Sequence, residues 1–397
     1  MKTDIYWYYP HLQFWMGGTS FIFDVITHFK EQKYKTTLVA QSGSQKIIKK
    51  FEAVCDQVIL TSVLSTHSIL YWIFFPFFIL YDIVCCLKIM IRSKDGIHLA
   101  THYPSNFIVA VCSKLLHKNF YYYCYEPFPF FHNDRFIHTF SFPKRELLQV
   151  LSFLYGWTDI WATRQAKQVL TLNSTTQKMI HDVYGVSSVI TKVGVDSKHF
   201  SPQKSTLFQD EYKNKKIITH STDYSKMKNT DLAIEIFSKM LEKDPSLMLV
   251  VTSTQPDSAE KKSYLDLVKH LGISEKIVFK GLLSYSELPI LYSNSWLYLS
   301  TSSDEMLGTT SSNMPVKQAL SCGTPVLRSN ITDEDVEDGV SGYLIDPHNI
   351  QESAYKGLLC LKDYRQNRQM GSRGREKIIK LYNWRQVAHA ILNTIHD

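Results

Sequence analysis

The sequence predicts an α/β protein with two doubly wound domains, and two features support this prediction. Short runs of β-branched and aromatic residues alternate with longer segments of helical periodicity, as in parallel sheets with crossover helices. This alternation restarts after residue 200. The length of 397 residues agrees, because it is too long for one core and suits two domains of roughly 180–200 residues.

The first half of the chain contains six short apolar runs that we predict to be strands. They lie at 5–9, 36–40, 57–60, 96–100, 120–125 and 168–172, with helices predicted between them at 19–32 and 105–118. The polar segment 196–214 carries several charges and is predicted to link the domains.

The second half repeats the pattern with six more predicted strands, at 216–221, 247–254, 276–281, 296–302, 324–329 and 343–346. Helices are predicted at 231–244, 261–272, 287–294 and 314–322. We therefore expect an N-terminal domain over 1–195, a C-terminal domain over 215–378 and a closing helix within 379–397. Ligands of such folds bind at the carboxyl ends of the strands, so we expect the site in the cleft between the domains.

The composition narrows the class of protein. With 44% hydrophobic and 20% charged residues, the chain is globular and has no large disordered part. A net charge of +7 suits phosphate-bearing ligands or an anionic membrane surface, but no basic stripe indicates nucleic acid. The seven cysteines form no C-x-x-C pair, and no signal peptide is recognised, so we expect a cytoplasmic protein without a structural metal.

One apolar segment, 69–91, leaves two interpretations open. A membrane-spanning helix needs about 20 apolar residues, and Asp82, Lys88 and Pro76 count against one. The segment is therefore either a buried helix of the first domain or a helix that lies partly in a membrane interface. The Phe- and Pro-rich stretch 127–143 adds aromatic residues and favours peripheral contact with the inner face of a membrane.

Two short motifs indicate ligand contact. Gly17 and Gly18 follow the first strand, and paired glycines at such a turn allow close approach to a phosphate or sugar. The run 308–313 is rich in small hydroxylic residues and leads into a helix, whose N-terminal N–H groups favour anions.

Taken together, several blocks resemble the retaining glycosyltransferases of family 4, which have the GT-B fold. The blocks follow the family's order along the chain and lie at 14–25, 169–202, 228–237, 276–305, 321–347 and 382–393. The resemblance implies two Rossmann-like domains facing across a cleft, with the C-terminal helix crossing back to the first domain.

The resemblance also implies the reaction. A hexose-type sugar would pass from a UDP- or GDP-linked donor to a lipid-linked or polysaccharide glycan, with retained anomeric configuration and without a metal or cofactor. The donor would sit against the C-terminal domain and the acceptor against the N-terminal one.

The family's functional positions map onto residues on both sides of the expected cleft. Lys228 matches the phosphate-binding lysine, with Lys226 as the nearest alternative, and Glu305 matches the glutamate that faces the donor sugar. Asp304 takes that contact if the register of this loop differs. Gln318 stands where the family has a second glutamate, so an amide would bind the ribose without charge.

The remaining donor-binding candidates surround these residues. They are Gly17, Gly18, Thr222, the phosphate cradle Thr309, Thr310, Ser311, Ser312 and Asn313, and Lys317 as its charge partner. Thr222 lies near the position of a common family arginine. Tyr125 replaces a family histidine before Glu126 and is a catalytic candidate beside Lys228 and Glu305. His102, at a strand end, is a further catalytic candidate. These departures keep open a GT-B binding or regulatory subunit without turnover, and more distantly a nucleotide-sugar epimerase.

Overall fold

The computed structural model forms two compact units. It describes residues 3–61, 71, 74–205, 212, 214–255, 258–302, 313–330 and 334–396. Among these, 3–194 and 384–396 belong to the first unit, and 195–383 belong to the second.

The first unit is built on a seven-stranded parallel sheet. In sheet order the strands run β3-β2-β1-β4-β5-β6-β7. Their bounds are β1 Ile5–Leu12, β2 Thr36–Gly43, β3 Gln57–Leu60, β4 Ile97–Thr101, β5 Tyr121–Cys124, β6 Gln168–Thr171 and β7 Ser188–Ile190. All six strands predicted for this half are confirmed, and β7 is an addition of three residues that is too short to stand out as a pattern.

Eight helices of the described first unit precede the second sheet. They are α1 Gly17–Glu31, α2 Gln45–Glu52, α3 Phe75–Arg92, α4 Ser105–Leu116, α5 Pro129–His132, α6 Asp134–Ile137, α7 Lys144–Gln165 and α8 Ser174–Tyr184. The limits of α8 have local causes. The Asn173 side chain accepts a hydrogen bond from the Thr176 amide at its start, and Gly185 ends it in the left-handed region at φ +68°.

The second unit repeats the design with six parallel strands in the order β10-β9-β8-β11-β12-β13. The strands are β8 Lys216–Thr222, β9 Leu247–Ser253, β10 Ile277–Gly281, β11 Leu297–Ser300, β12 Val326–Ser329 and β13 Gly342–Ile345. Its helices are α9 Thr230–Leu241, α10 Lys261–His270, α11 Leu288–Asn294, α12 Met314–Ser321, α13 Ile350–Leu361 and α14 Tyr364–Leu381. Every strand and helix predicted in this half is present.

Helix α15, Trp384–His396, returns the chain to the first unit. It packs on α1, where the ring centroids of Phe21 and Trp384 lie 5.5 Å apart. A side chain at Gly194 would clash with the Trp384 ring, so glycine permits this close approach. The predicted crossing of the C-terminal helix is confirmed.

The apolar segment 69–91 falls partly outside the described residues, but α3 lies within them. One face of α3 is buried through Phe75, Ile79 and Cys86, whereas Phe77 is 73% exposed. Helix α3 therefore has one core face, as the first interpretation predicts, and one exposed apolar face, whose contact with a membrane interface stays a prediction. None of the helices in the described part of the chain has the length and apolar character needed to cross a membrane.

Helix α7 was not predicted from sequence, because its apolar residues lie on both faces. Leu151 and Ala162 are buried, while Phe153 is 85% and Trp157 is 63% exposed. The aromatic residues of 127–143 divide between core and surface, since Phe131 is buried in the core of this unit and Phe142 is 76% exposed.

Each sheet has a point where the strand order reverses. In the first unit this switch point lies between β1 and β4, and in the second it lies between β8 and β11. The loops that leave neighbouring strands there diverge to opposite faces of the sheet, which opens a crevice at the strand ends. The candidate site residues cluster at these two places.

Candidate functional site

In the second unit, the loop after β8 is braced from within. The Thr222 hydroxyl accepts from the Tyr224 amide at 2.8 Å and bonds the Thr230 hydroxyl at 2.8 Å. The Asp223 carboxylate accepts from the backbone amide and the hydroxyl of Ser225. Thr222, predicted to contact the donor, thus uses its hydroxyl within the loop, and a direct contact to a ligand stays a prediction.

The end of β11 holds the same loop from the other side of the switch point. The Thr301 hydroxyl contacts the backbone carbonyl oxygens of Lys228 and Asn229, each at 2.8 Å. The side-chain amide of Asn229 donates to the backbone carbonyl of Thr301 at 3.1 Å, and Asn229 has a left-handed φ of +44°. The short 3₁₀ turn Lys226–Lys228 is therefore fixed to both strands at the switch point.

The two candidate lysines differ in their surroundings. Lys226 is exposed, whereas Lys228 is half-buried. No carboxylate of the described residues lies within ion-pair distance of the Lys228 ammonium group. A half-buried ammonium on a fixed turn is a suitable group to contact a diphosphate.

The charge on Lys228 acts on two neighbours. Burial alone would raise the pKa of Asp223, but the hydrogen bonds from Ser225 and the charge of Lys228 bring it below the ordinary value. Burial lowers the pKa of His220 to about 4, and the charge of Lys228 contributes in the same direction. The neutral His220 ring bonds the Leu299 carbonyl and the Thr230 hydroxyl, which ties β8, β11 and α9 together.

Helix α12 begins at the same end of the sheet. Asn313, with a left-handed φ of +42°, directs its amide to the Ser300 hydroxyl at 3.2 Å. Gln318 is half-buried on this helix. Lys317 was expected to offer its charge to a phosphate, and this is corrected. Its side chain is 1% exposed and pairs with Asp335 at 3.1 Å.

The part of the predicted site between residues 303 and 312 lies outside the described residues. It comprises the predicted sugar-contacting Glu305, its alternative Asp304 and the cradle residues Thr309, Thr310, Ser311 and Ser312. Their roles stay predictions. The described neighbours on both sides, Ser302 and Asn313, lie at the carboxyl end of β11 and the start of α12.

In the first unit, Gly17 and Gly18 open α1 at the end of β1, and they differ. A β-carbon on Gly17 would meet no atom within 4 Å, whereas one on Gly18 would lie 2.9 Å from the Tyr125 ring. The Tyr125 hydroxyl donates to the Gly18 carbonyl at 3.0 Å. Burial raises the pKa of Tyr125 well above its usual value, so this phenol stays protonated as a donor. Its predicted catalytic role stays untested beside this packing role.

His102 follows β4 and has a left-handed φ of +61°, an uncommon conformation outside glycine. Its ring packs edge-on against Tyr125, with centroids 5.0 Å apart. Burial lowers the pKa of His102 to about 4, so the ring is neutral near pH 7 and can accept a hydrogen bond from a hydroxyl.

A cavity of about 610 Å³ lies beside His102 in the first unit. The strand ends supply His11, His102 and Glu126, and α5 and α7 supply a wall of Phe and Leu side chains. The size falls within the range of small-molecule sites. Its lining consists of Tyr9, Pro10, His11, Met16, His102, Tyr103, Glu126, Phe128, Pro129, Phe130, Phe131, Lys144, Leu147, Leu148 and Leu151.

His132, a further histidine of the aromatic stretch, is held away from this site. Its Nε2 lies 2.9 Å from a carboxylate oxygen of the fully buried Asp159. Asp159 also accepts from Tyr184 and Asn106, so these residues form a core network that joins α4, α7 and α8. Such a buried, hydrogen-bonded network stabilises the unit.

Three residues that fix this site were not predicted from the sequence, namely His220, Asn229 and Thr301. The signal for Asn229 and Thr301 is their position directly after Lys228 and after the strand WLYLS, where polar residues at strand ends meet. Nothing in the local sequence predicts that His220 would be buried between two strands. In the described part of the chain, no group of three or more His, Cys, Asp or Glu side chains could hold a metal ion.

Comparisons with known proteins define the class of the fold. A glycosyltransferase from Rickettsia africae ESF-5 superposes over 99% of this chain and 98% of its own, with a TM-score of 0.76 at 16% identity. HepE of Anabaena, solved with UDP and glucose, covers 100% of both chains with a TM-score of 0.71 at 15% identity. Two parallel α/β units with such neighbours have the GT-B fold, as predicted.

The sequence comparison gives the family that the second unit resembles. Residues 204–377 match the model of the glycosyl transferases group 1. The N-acetyl-alpha-D-glucosaminyl L-malate synthase of Bacillus anthracis is 26% identical over 51% of this chain and 52% of its own. The poly(ribitol-phosphate) alpha-N-acetylglucosaminyltransferase of Staphylococcus aureus is 23% identical over 67% of this chain and 49% of its own. The chain thus spans about half the length of the curated relatives it matches.

Proposed function

We propose that this protein is a retaining glycosyltransferase that moves a hexose-type sugar from a UDP- or GDP-linked donor to a lipid-linked or polysaccharide glycan. The observation that carries the proposal is the fixed turn with Lys228 at the switch point of the second unit. It lies within the residues that match the group 1 glycosyl transferases.

The proposed chemistry needs positive charge where negative charge develops. As the sugar leaves its diphosphate, charge grows on the diphosphate oxygens, and a preorganised ammonium stabilises it without reorganisation. Lys228 supplies that charge in this proposal. Backbone N–H groups before α12 add to it, and no metal or cofactor takes part.

The donor sugar needs a polar group that stabilises its positive character during transfer. We assign this role to Glu305 from its match to the family position, with Gln318 on the ribose. In the first unit, neutral His102 can accept a hydrogen bond from the acceptor hydroxyl.

Peripheral contact with the inner face of a membrane completes the proposal. The exposed apolar face of α3 carries Phe77, Leu80 and Tyr81, with Arg92 at its C-terminal end. An amphipathic helix with this composition can lie in a lipid interface. It would hold a cytoplasmic enzyme near a polyprenyl-linked acceptor.

A binding or regulatory subunit without turnover is the second candidate. Its support is the engagement of Tyr125 with Gly18, because this residue takes the place of a family histidine and its phenol is already used. Gln318 in place of a glutamate is consistent with the same alternative.

The test is a panel of UDP- and GDP-sugars, with and without a polyprenyl-diphosphate glycan, in which free nucleoside diphosphate is measured. Release from one donor, increased by the acceptor, is the expected result. The anomeric configuration of the product, read from its proton coupling constant, then tests retention. Thermal stabilisation by a donor without any release would support the binding subunit instead.

A further inference from the structure

The cavity of the first unit has walls of two kinds. Its polar groups, His11, His102 and Glu126, come from residues that end or follow β1, β4 and β5. Its apolar lining consists of Phe128, Phe130 and Phe131 from the α5 region and Leu147, Leu148 and Leu151 from α7. A polar sugar has no apolar surface that could pack against these phenylalanine and leucine side chains.

The same helix that forms the apolar wall also exposes apolar side chains to the outside. On α7, Leu148 and Leu151 line the cavity, while Phe153, Leu154 and Trp157 are exposed. Helix α3 packs on α7, with the Phe75 ring centroid 4.6 Å from that of Tyr155, and it also exposes Phe77 and Leu80. Exposed apolar side chains that include Trp are of the kind that contact a lipid interface.

A charged group marks the start of α7. Lys144, the first residue of the helix, lines the cavity and is itself exposed. A ligand with a hydrocarbon chain and an anionic group would therefore find an apolar wall and a lysine within one cavity.

We propose that this cavity binds the hydrocarbon chain of a phosphate-bearing lipid acceptor. The identity of that lipid as the acceptor rests on the proposed function. Its chain lies against the leucines of α7 and the phenylalanines of the α5 region. Its phosphate lies near Lys144, and the hydroxyl or glycan that it carries extends toward His102 at the switch point.

The proposal is tested by calorimetric binding of farnesyl phosphate below its critical micelle concentration, without any donor. Dodecyl phosphate distinguishes an acyl-like chain from a prenyl chain, and inorganic phosphate measures the headgroup alone. We expect saturable binding of one or both chain phosphates and none of inorganic phosphate. Equal binding of inorganic phosphate would overturn the proposal.

Two matched variants locate the binding. Leu148→Trp fills the cavity and should weaken chain binding by about tenfold or more, because the wall cannot expand to admit the extra ring. Gln149→Trp places the same side chain at the next, exposed position and should leave the affinity unchanged. Unchanged affinity for Leu148→Trp, or equal losses for the two variants, would place the chain elsewhere.

Hydrogen exchange on the unmodified protein provides a second readout that does not depend on the folding of a variant. Farnesyl phosphate should slow exchange at 144–151, and unchanged exchange there would contradict the site. Donor turnover without chain binding would remove this inference and leave the proposed function. Binding of the hydrocarbon chain without turnover on any donor would contradict the proposed function and leave chain binding in this cavity.

Discussion

The two switch points of this protein share a topology and differ in chemistry. Between β8 and β11, hydrogen-bonding residues such as Asn229 and Thr301 fix a turn that carries Lys228. At the ends of β1 and β4, a cavity of about 610 Å³ is lined mainly by aromatic and aliphatic side chains. In folds of this kind the strand order sets where a ligand can bind, and the residues that follow each strand set which ligand fits.

We call the switch point between β8 and β11 the polar switch point and the one between β1 and β4 the apolar switch point. Removing the positive charge at the polar switch point should have the largest effect. Lys228→Ala should lower donor turnover by about 10²–10³-fold, as does the loss of other preorganised groups that stabilise developing negative charge. Nucleoside diphosphate release at saturating donor measures the effect.

Lys226→Ala is the matched control, because it removes the same side chain two residues away at an exposed position. We expect it to retain nearly full turnover. If Lys226→Ala loses activity and Lys228→Ala does not, the diphosphate contact belongs to Lys226.

The glycine pair sharpens the comparison at the apolar switch point. Gly18→Ala brings a methyl group against the Tyr125 ring and should reduce the free energy of unfolding by about 2 kcal/mol, as overpacking does elsewhere. Gly17→Ala meets open space and should leave stability nearly unchanged. Urea denaturation of the two variants measures the difference.

A second outcome separates packing from ligand contact at this pair. If the ligand approaches the backbone at Gly17, its alanine variant should raise the KM for acceptor at unchanged stability. Equal destabilisation by both alanines would contradict the described geometry of the turn.

The exposed apolar face of α3 predicts a smaller effect. Replacing Phe77 and Leu80 by Ser should lower sedimentation with anionic vesicles by about tenfold, because each side chain loses favourable burial in the lipid interface. Phe75→Ser is unsuitable for this purpose, since Phe75 is buried and its loss would destabilise the core.

Leu282→Ser is the control for this experiment. Leu282 is 65% exposed in the second unit, where no lipid contact is proposed. Its variant should sediment like the unmodified protein. If the α3 variant also sediments like the unmodified protein, the α3 face does not contact the lipid.

The weakest predicted effect concerns pH. Burial lowers the pKa of His220 to about 4 and that of His98 to about 3, whereas an unfolded histidine titrates near 6.5. The unfolded chain therefore binds more protons below pH 6.5, and stability falls as the pH drops toward 4. Each histidine should lower the free energy of unfolding by about 1 kcal/mol between pH 7 and pH 5.5.

Denaturation at pH 7 and 5.5 tests this sign. His220→Gln should reduce the difference between the free energies of unfolding of the second unit at pH 7 and pH 5.5. His98→Gln should have the same effect on the first unit. A pH difference that stays the same in both variants would show that other groups control the acid response.

The sequence predicts the strands well because each is a short apolar run between turn residues, as Ile5–Leu12 and Leu247–Ser253 show. It indicates Lys228 as a candidate donor-binding residue because Lys228 opens the block 228–237, which resembles the family. It does not predict α7, whose exposed Phe153 and Trp157 obscure the helical period. The cavity could not be predicted either, because Tyr9, His102 and Leu148 come together only through the fold.

We propose that the switch point between β8 and β11 binds the donor and that the switch point between β1 and β4 binds the acceptor lipid. Hydrogen exchange in the presence of UDP or of farnesyl phosphate tests it most directly. We predict that UDP slows exchange at 223–230 and leaves 144–151 unchanged, and that farnesyl phosphate does the opposite. Protection of 144–151 by UDP, with none at 223–230, would contradict this division.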